Sequence, residues 1–464
     1  MTALNDRLKL LAALALALAA LGGCAGDSLP SLPKVGDLNP FKEKIAPLPG
    51  KRISVMPEKE KIPGELADAS QPIALPPERA NDSWSQPGGD ANNAPGNLAL
   101  SGGIHQTWSA DAGEGTSKVG RISASPIVAD GHIYTLDAGG TVSAFSLSGG
   151  SPIWRASLQP TADPNKKVAF NASNLFSLGG SDGGGYGGGL AADGGRIFAA
   201  SGFGNVIALD PASGKRIWEK SVGAPVRASP TATADRVFVV TTEGRITCLS
   251  SVDGTELWSA RGLPQQASLT LNASPAVDGD IVVAPFPSGD ILALKVADGS
   301  SLWTENLART RTTSQLTSLS DAARPAIDSG VAFAIGHGGR MVATQVKSGE
   351  RIWSLNVPGT QTPWVAGDSV FVVDTTGQIM AIARHDGRVR WTAKLPGGTT
   401  WSGPTMASGT LWLVSNKGQL VGVEAATGRV SSQQEIGEPV YVAPIVAAGR
   451  MFVLTDNAKL IAMN

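Results

Sequence analysis

The sequence predicts an all-β fold, an eight-bladed β-propeller of four-stranded antiparallel blades whose ring is closed by an N-terminal strand. Three observations lead to this prediction. A Gly-x-x-x-Trp motif recurs six times, and most copies are separated by about 40 residues. A strand–turn–strand pattern accompanies each copy, and the last unit of the chain is one strand short.

The repeated unit is a pair of β-branched segments around a glycine turn, followed by the Trp motif. In one unit, Arg236–Val240 and Arg245–Leu249 flank a turn that ends at Gly244. Alternating polar and apolar residues with glycine in the turn are typical of antiparallel strands. A seventh copy has Gly428 but places Ser432 where Trp is expected. The six intact copies are Gly150–Trp154, Gly214–Trp218, Gly254–Trp258, Gly299–Trp303, Gly349–Trp353 and Gly387–Trp391.

The two ends of the repeat region complement each other. The final unit has the segments Arg450–Leu454 and Leu460–Met463 and then stops before an outer strand. Upstream of the first complete repeat, His105–Ala110 carries an isolated Trp108. We therefore expect this segment to complete the last blade, which gives seven complete blades and one shared blade. Closure leaves no long strand edge exposed.

The first residues are predicted to be an export signal. Arg7 and Lys9 precede an apolar run from Leu10 to Leu21, which is too short to span a bilayer. Residues 1–23 are therefore interpreted as a signal peptide. The run ends in Leu-Gly-Gly-Cys, which resembles a bacterial lipobox, so Cys24 is predicted to be acylated and to anchor the chain. By the same resemblance, the alanine after Cys24 favours the outer membrane.

Residues 24–82 are predicted to be a disordered, lipid-anchored linker. Positions 25–80 hold ten prolines and Phe41 as their one aromatic residue. Such a stretch cannot bury enough apolar surface to offset the entropy of ordering. The propeller is accordingly expected at residues 83–464.

Composition excludes several kinds of site. The net charge of −1 provides no basic excess for nucleic acid. Two cysteines and four scattered histidines do not form a zinc or iron–sulfur pattern, so we predict no metal and no catalytic residue. Cys248 lies in an alternating strand pattern and is expected to be a buried, inert thiol. The glycine run Gly179–Gly189 lacks the lysine of a phosphate-binding loop and is interpreted as a flexible insertion.

The segment Ala208–Trp218 resembles the tryptophan-docking repeat of quinoprotein-type (PQQ-like) propellers. Trp84–Asp90 is similar to the N-terminal motif of those enzymes, and the resemblance covers residues 83–464. It implies that the motif Trp side chains stack between blades and contact the turn glycine of a neighbour. The docking residues implied in this way are Trp108, Trp154, Trp218, Trp258, Trp303, Trp353 and Trp391.

Two subfamilies with this repeat differ in function, so function must be argued separately from fold. The quinoprotein dehydrogenases use adjacent cysteines, an aspartate base and a Glu/Asn pair that holds calcium beside the cofactor. This chain has no Cys-Cys pair and no Cys-x-x-Cys-His haem site. The lipobox, the length and the predicted blade number favour the BamB subfamily, which implies a non-enzymatic lipoprotein scaffold without cofactor on the periplasmic face of the outer membrane.

The same resemblance implies a partner. In the scaffold subfamily, loops of adjacent blades touch the POTRA domains of the barrel-forming subunit of the β-barrel assembly (BAM) complex. Carrying this over gives Leu269, Leu271 and Asp321, with Asn272 where the subfamily has arginine. Ordinary packing between blades remains an alternative for these residues. Unfolded outer-membrane proteins are a further possible partner. A PQQ-dependent dehydrogenase and a generic envelope peptide-binding propeller remain open as alternative functions.

Overall fold

Short strands joined by tight turns make up the structure, a computed structural model that describes residues 72–118, 120–159, 187–262, 273–307, 322–397 and 400–464. In chain order, the first sixteen strands are β1 (Gln106–Asp111), β2 (Ile127–Ala129), β3 (His132–Leu136), β4 (Thr141–Ser146), β5 (Pro152–Ser157), β6 (Gly188–Asp193), β7 (Arg196–Ser201), β8 (Asn205–Leu209), β9 (Arg216–Ser221), β10 (Thr231–Thr233), β11 (Arg236–Val240), β12 (Arg245–Ser250), β13 (Glu256–Arg261), β14 (Ala276–Asp278), β15 (Ile281–Pro285) and β16 (Asp290–Lys295). The other sixteen are β17 (Ser301–Asn306), β18 (Ala326–Asp328), β19 (Val331–Ile335), β20 (Met341–Gln345), β21 (Arg351–Leu355), β22 (Trp364–Ala366), β23 (Ser369–Val373), β24 (Gln378–Ala383), β25 (Val389–Lys394), β26 (Trp401–Ala407), β27 (Thr410–Ser415), β28 (Gln419–Glu424), β29 (Val430–Glu435), β30 (Ile445–Ala447), β31 (Arg450–Leu454) and β32 (Lys459–Met463).

These strands form eight sheets of four strands each, which confirms the predicted architecture within the described residues. Blade 1 is β2–β5, and each following group of four strands forms the next blade, up to β26–β29 in blade 7. Blade 8 combines β30–β32 with β1. Sequential antiparallel pairing within a blade follows from the short glycine turns, which allow no longer crossover.

The N-terminal strand closes the ring as predicted. β1 pairs antiparallel with β32, and Trp108 lies opposite Ala462 in the register. First and last strands thus share one sheet. The described chain contains no helix long and apolar enough to cross a membrane.

Burial changes from the centre of a blade to its rim. In blade 3, β11 and β12 are almost completely buried, whereas the outer strand β13 alternates between exposed and buried positions. The two middle strands of a blade face neighbouring blades on both sides, so most of their residues are buried. An outer strand presents only one face to the next blade and keeps the period-two pattern.

A row of three residues crosses each blade at the same level. In blade 3 the row is Phe238, Cys248 and Trp258, and the two rings lie 5.9 Å apart in a tilted arrangement. In blade 1 the row is Tyr134, Ala144 and Trp154. The middle residue must be small because the two flanking rings meet across it. Cys248 therefore occupies a position that blade 1 fills with alanine.

The motif Trp residues join consecutive blades. The Nε1 of Trp218 in blade 2 donates to the carbonyl oxygen of Ser251 in blade 3 at 3.0 Å. A Cβ added to Gly254, where φ is +74°, would lie 2.7 Å from the ring of Trp218. Only glycine permits both this conformation and this close approach. The same donation, to the residue three before the motif glycine, is made by Trp154, Trp218, Trp258, Trp303, Trp353 and Trp391.

Part of the glycine run is a strand, which corrects its interpretation as a flexible insertion over that part. Gly188 and Gly189 begin β6, whereas 160–186 lie outside the described residues. A Cβ at Gly189 would lie 1.9 Å from the Oγ of Ser229 in the neighbouring blade. The glycine is needed because blades 2 and 3 approach each other too closely for any side chain.

Candidate functional site

The predicted partner residues belong to two equivalent connections of the ring. Leu269, Leu271 and Asn272 fall between β13 and β14, and Asp321 falls between β17 and β18; all four lie outside the described residues. Each connection runs from the outer strand of one blade to the inner strand of the next. Because equivalent strands run in the same direction around the ring, the ends of β13 and β17 and the starts of β14 and β18 lie at one face, here called the loop face. Cys24 and the signal peptide 1–23 also lie outside the described residues.

A segment before β1 crosses the centre of the ring at the end opposite the loop face. Residues 81–101, here called the plug, form hydrogen bonds with the inner strand, or its adjoining turn, in every blade. Apart from the bond to the Trp364 side chain, the bonds are made at the middle or the C-terminal end of the inner strands, whereas the loop-face connections enter at their N-terminal ends. The resemblance to the quinoprotein family includes Trp84–Asp90 but predicts no structural role for this segment. Blades 1 to 8 are bonded by Trp84, Ser85, Gln86, Ala91, Asn92, Gly96, Leu98 and Asn81, respectively.

Gln86 is the most heavily bonded side chain of the plug. Its Nε2 donates to the carbonyl oxygens of Ala192 at 3.1 Å and Ala232 at 2.7 Å, and its Oε1 accepts from the Ala232 nitrogen at 3.1 Å. The side chain is buried, with 2% of its surface exposed. One amide therefore satisfies three backbone groups at the junction of blades 2 and 3.

The plug forms the floor of a cavity of about 310 Å³. The cavity, here called the funnel, lies over Trp84, Pro87 and Asn93, with the buried Trp364 in its wall. The Trp84 and Trp364 rings are stacked, with centroids 6.3 Å apart. Most of the other lining residues precede inner strands, so the funnel faces the loop face. Its volume is at the lower end of the range for sites that hold small organic ligands.

Charged groups in the funnel are predominantly basic. Arg121 and Arg324 line it, as does the carboxylate of Asp456, which accepts a 2.5 Å hydrogen bond from the Oγ1 of Thr116. An Arg324 Nη1 donates to the carbonyl oxygen of Pro87 at 3.1 Å, so this arginine contacts the plug. Burial lowers the pKa of the Arg324 guanidinium to about 10. Among the described lining residues, two side chains are cationic and one is anionic.

The funnel lining does not fit a calcium-dependent quinone. Asp456 is its one carboxylate among the described lining residues, and Thr116 already occupies one of its oxygens. No group of three His, Cys, Asp or Glu side chains suited to a metal occurs in the described ranges. Cys248 lies in β12 of blade 3, away from the funnel lining. We therefore derive no reaction step through such a cofactor.

Cys248 is free and fully buried, as the sequence predicted. Burial, only partly offset by the nearby Arg236, raises the pKa of the thiol to about 11. In a Cys24→Ala variant at pH 7.5, we expect Cys248 to stay unmodified by iodoacetamide over hours and to react within minutes in denaturant. Mass spectrometry measures this. Rapid modification of the folded protein would mean that the thiol is accessible.

The chain matches a described protein family over most of its length. The family profile described as outer membrane protein assembly factor BamB matches residues 138–393 and 393–464. The BamB protein of Burkholderia pseudomallei is 24% identical over 158 residues, which is 34% of this chain and 34% of that protein. The BamB protein of Moranella endobia is 29% identical over 124 residues, 23% of this chain and 31% of that protein. The alignments thus span only about a third of these curated relatives.

Solved structures match the fold over a larger part of the chain. BamB from Moraxella catarrhalis has a TM-score of 0.63 at 18% identity, covering 78% of this chain and all of that chain. Quinohemoprotein alcohol dehydrogenase from Comamonas testosteroni has a TM-score of 0.61 at 14% identity, covering 82% and 80%. Since BamB and a quinohemoprotein alcohol dehydrogenase match almost equally well, these likenesses show the fold alone.

Proposed function

Because the chain belongs to the family of the outer membrane protein assembly factor BamB, we propose that it is a non-enzymatic scaffold of the BAM complex. In this role it binds the POTRA domains of the barrel-forming subunit and aids the insertion of β-barrel proteins into the outer membrane. The observation that carries the proposal is the family match. It runs from blade 1 to the end of the chain and includes both loop-face connections that hold the predicted contact residues.

Ring topology supports this use of the loop face. The two connections precede blades 4 and 5, which are neighbours in the ring, so a single partner domain can reach both. In sequence the two connections combine apolar residues, Leu269 and Leu271, with the charged Asp321, and interfaces typically combine an apolar centre with a polar rim. We propose Leu269, Leu271, Asn272 and Asp321 as this contact.

The N-terminal region supports a location of this protein at the outer membrane. We propose that residues 1–23 are removed, that acylated Cys24 anchors the protein in the outer membrane, and that residues 24–82 link it to the propeller at 83–464 in the periplasm. The described structure begins at residue 72, and Asn81 already bonds to Val446 of blade 8 through its side chain. The linker already meets the ring before the plug, since the Ala74 carbonyl oxygen accepts a hydrogen bond from the Asp368 nitrogen at 3.5 Å, at the end away from the loop face.

The contact is tested by capture with purified POTRA domains of the barrel subunit. We expect the unmodified protein to be retained and the double variant Leu269→Asp/Asp321→Lys to lose at least tenfold in affinity. An acidic group would enter an apolar contact, and a charge would be reversed. Surface plasmon resonance measures the affinity, and circular dichroism checks that the variant is folded.

A matched control separates the site from a general charge effect. Leu302 on the rim and Asp280 in the turn between β14 and β15 are exposed and lie outside the loop face. The variant Leu302→Asp/Asp280→Lys makes the same change in charge and should bind as the unmodified protein does. Retention of the loop variant would refute the residue assignment, whereas no retention of the unmodified protein would refute the scaffold function.

The likeness in fold supports the alternative of a dehydrogenase, but the residues that line the funnel do not fit its cofactor. Asp456 is engaged by Thr116, and the described chain offers no carboxylate cluster beside it. We therefore propose a function without catalysis or cofactor, in agreement with the family.

A further inference from the structure

The outer strand of blade 4 carries a buried carboxylate that is held by blade 5. Glu305 is the second-last residue of β17, and only 8% of its surface is exposed. Its two oxygens accept three hydrogen bonds from the Nε and Nη2 of Arg351 on β21, at 2.6 to 3.1 Å. The Nη1 of Arg340 lies 3.9 Å from the Glu305 Oε1. Because a buried charge needs an opposite charge and hydrogen bonds in place of water, Glu305 ties the end of its strand to blade 5.

The next two residues of the chain are fixed as well. The Nη1 of Arg340 also donates to the carbonyl oxygen of Asn306 at 3.4 Å, and the Asn306 side chain donates to the Asp290 carboxylate at 2.7 Å. Leu307 is fully buried, and its nitrogen donates to the carbonyl oxygen of Gly289 at 2.9 Å. The start of the connection between β17 and β18 is therefore held by both blade 4 and blade 5.

The far end of the same connection is bonded to the same turn of blade 5. Ala322 forms an isolated β-bridge with Gly336. The nitrogen of Ala323 donates to the carbonyl oxygen of Ile335 at 2.9 Å, and both alanines are buried. Gly336 and Arg340 bound one turn between β19 and β20, in which the Gly336 nitrogen donates to the Arg340 carbonyl oxygen at 2.9 Å. This turn therefore contacts both ends of the connection.

We propose that Glu305, Arg340 and Arg351 are positioning residues for the partner contact. They hold the connection that contains Asp321, so the inference rests on the proposed scaffold function. Asp321 immediately precedes the fixed Ala322 in the sequence. Fixing both ends of a connection removes conformational freedom before binding, so less entropy is lost when a partner binds to it. Partner affinity accordingly depends on three charged residues that need no contact with the partner.

Surface plasmon resonance with purified POTRA domains tests the inference on Arg351→Gln. We expect this variant to bind about three- to tenfold more weakly than the unmodified protein, because the charge-assisted bonds to Glu305 are weakened. Arg216→Gln is the matched control. Arg216 has the same place in the repeat of blade 2, two residues after the motif glycine, and it also bonds to the preceding outer strand, at the Ser157 carbonyl oxygen. The connection after that strand contains no proposed contact residue, so binding should be unchanged.

A double-mutant cycle shows whether Glu305 acts through the connection. Glu305→Gln and Asp321→Ala should each weaken binding, and the double variant should bind within about twofold of Asp321→Ala alone. A residue with only a structural role would lower stability without coupling to Asp321. If Glu305→Gln fails to fold, Arg351→Gln, whose side chain is 40% exposed, takes its place in the cycle.

Hydrogen exchange provides a readout that needs no partner. Amides of residues 303–307 and 322–325 should exchange faster in Glu305→Gln than in the unmodified protein, because the ends of the connection open more often. Unchanged exchange would show that Glu305 does not hold the connection.

The binding results separate this inference from the scaffold function. The inference is overturned, with the scaffold function intact, if the unmodified protein is retained and Arg351→Gln binds equally well. Equal losses for Arg351→Gln and Arg216→Gln, or additive losses in the cycle, overturn it in the same way. If the unmodified protein is not retained, the scaffold function and the positioning role fail together.

Discussion

Replacing Trp218 with alanine is expected to lower the free energy of unfolding by about 3–5 kcal/mol, the range for deleting a large aromatic side chain from a packed site. The indole packs against Gly254 of the next blade and lies 5.9 Å from the ring of Phe198 in its own blade. Its removal also deprives the Ser251 carbonyl of its 3.0 Å hydrogen bond. Urea denaturation of the Cys24→Ala protein, followed by circular dichroism, measures the change.

The adjacent residue provides the control. Ile217 is on the same strand but is 45% exposed, so Ile217→Ala should change stability by only about 0.5 kcal/mol. Similar losses for the two variants would contradict a role of the indole in joining the blades. Because the loss is local to blades 2 and 3, it should appear as a shifted midpoint with an unchanged slope if the ring unfolds cooperatively.

Replacing Gln86 with leucine is expected to destabilise the protein by about 2–5 kcal/mol, since buried backbone groups that lose their partners each cost about 1–3 kcal/mol. The three bonds of Gln86 satisfy groups of Ala192 and Ala232, and leucine can replace none of them. Thermal and urea denaturation measure the loss.

The control for Gln86→Leu is the same substitution at Gln345, an exposed residue on β20. Gln345→Leu should leave the midpoint within about 0.5 kcal/mol of the unmodified protein. Equal stability of the Gln86 and Gln345 variants would show that the plug does not hold blades 2 and 3 together.

The sequence predicted the docking of each motif Trp against the next blade, but it did not predict the exception at Trp108, on the strand that closes the ring. The Nε1 of Trp108 has no hydrogen-bond partner among the described residues. The carbonyl oxygen of Leu147, three before Gly150, instead accepts from Arg450 at 3.3 Å. Arg450 is 303 positions away from Leu147 in sequence, so only the closed ring brings the two together.

In blade 7 the large aromatic side chain of the row lies at a different position from the motif Trp, and the packing explains why. Ser432 stands where the motif has Trp, and the same cross-strand row contains Gly422 and Trp412. A Cβ built at Gly422 would lie 3.0 Å from the Trp412 ring. In this blade the tryptophan therefore occupies the first position of the row, and the middle position is a glycine. The sequence shows that the motif Trp is absent at Ser432 but not that Trp412 replaces it. The replacement is visible only in the packed blade, where the side chains of one row share a fixed volume.

The sequence by itself determined the blade, the number of blades and the closure of the ring. Those features follow from a local pattern of alternating strands, glycine turns and one Trp per unit, which recurs and can therefore be recognised without tertiary contacts. The plug and the funnel were decided only by the tertiary structure. Their contacts join residues such as Gln86 and Ala232, 146 positions apart, and a single segment touching eight blades has no period that a sequence could display. The hydrogen bond from Arg324 to Pro87 follows from the same cause, because it depends on the plug lying beneath Arg324.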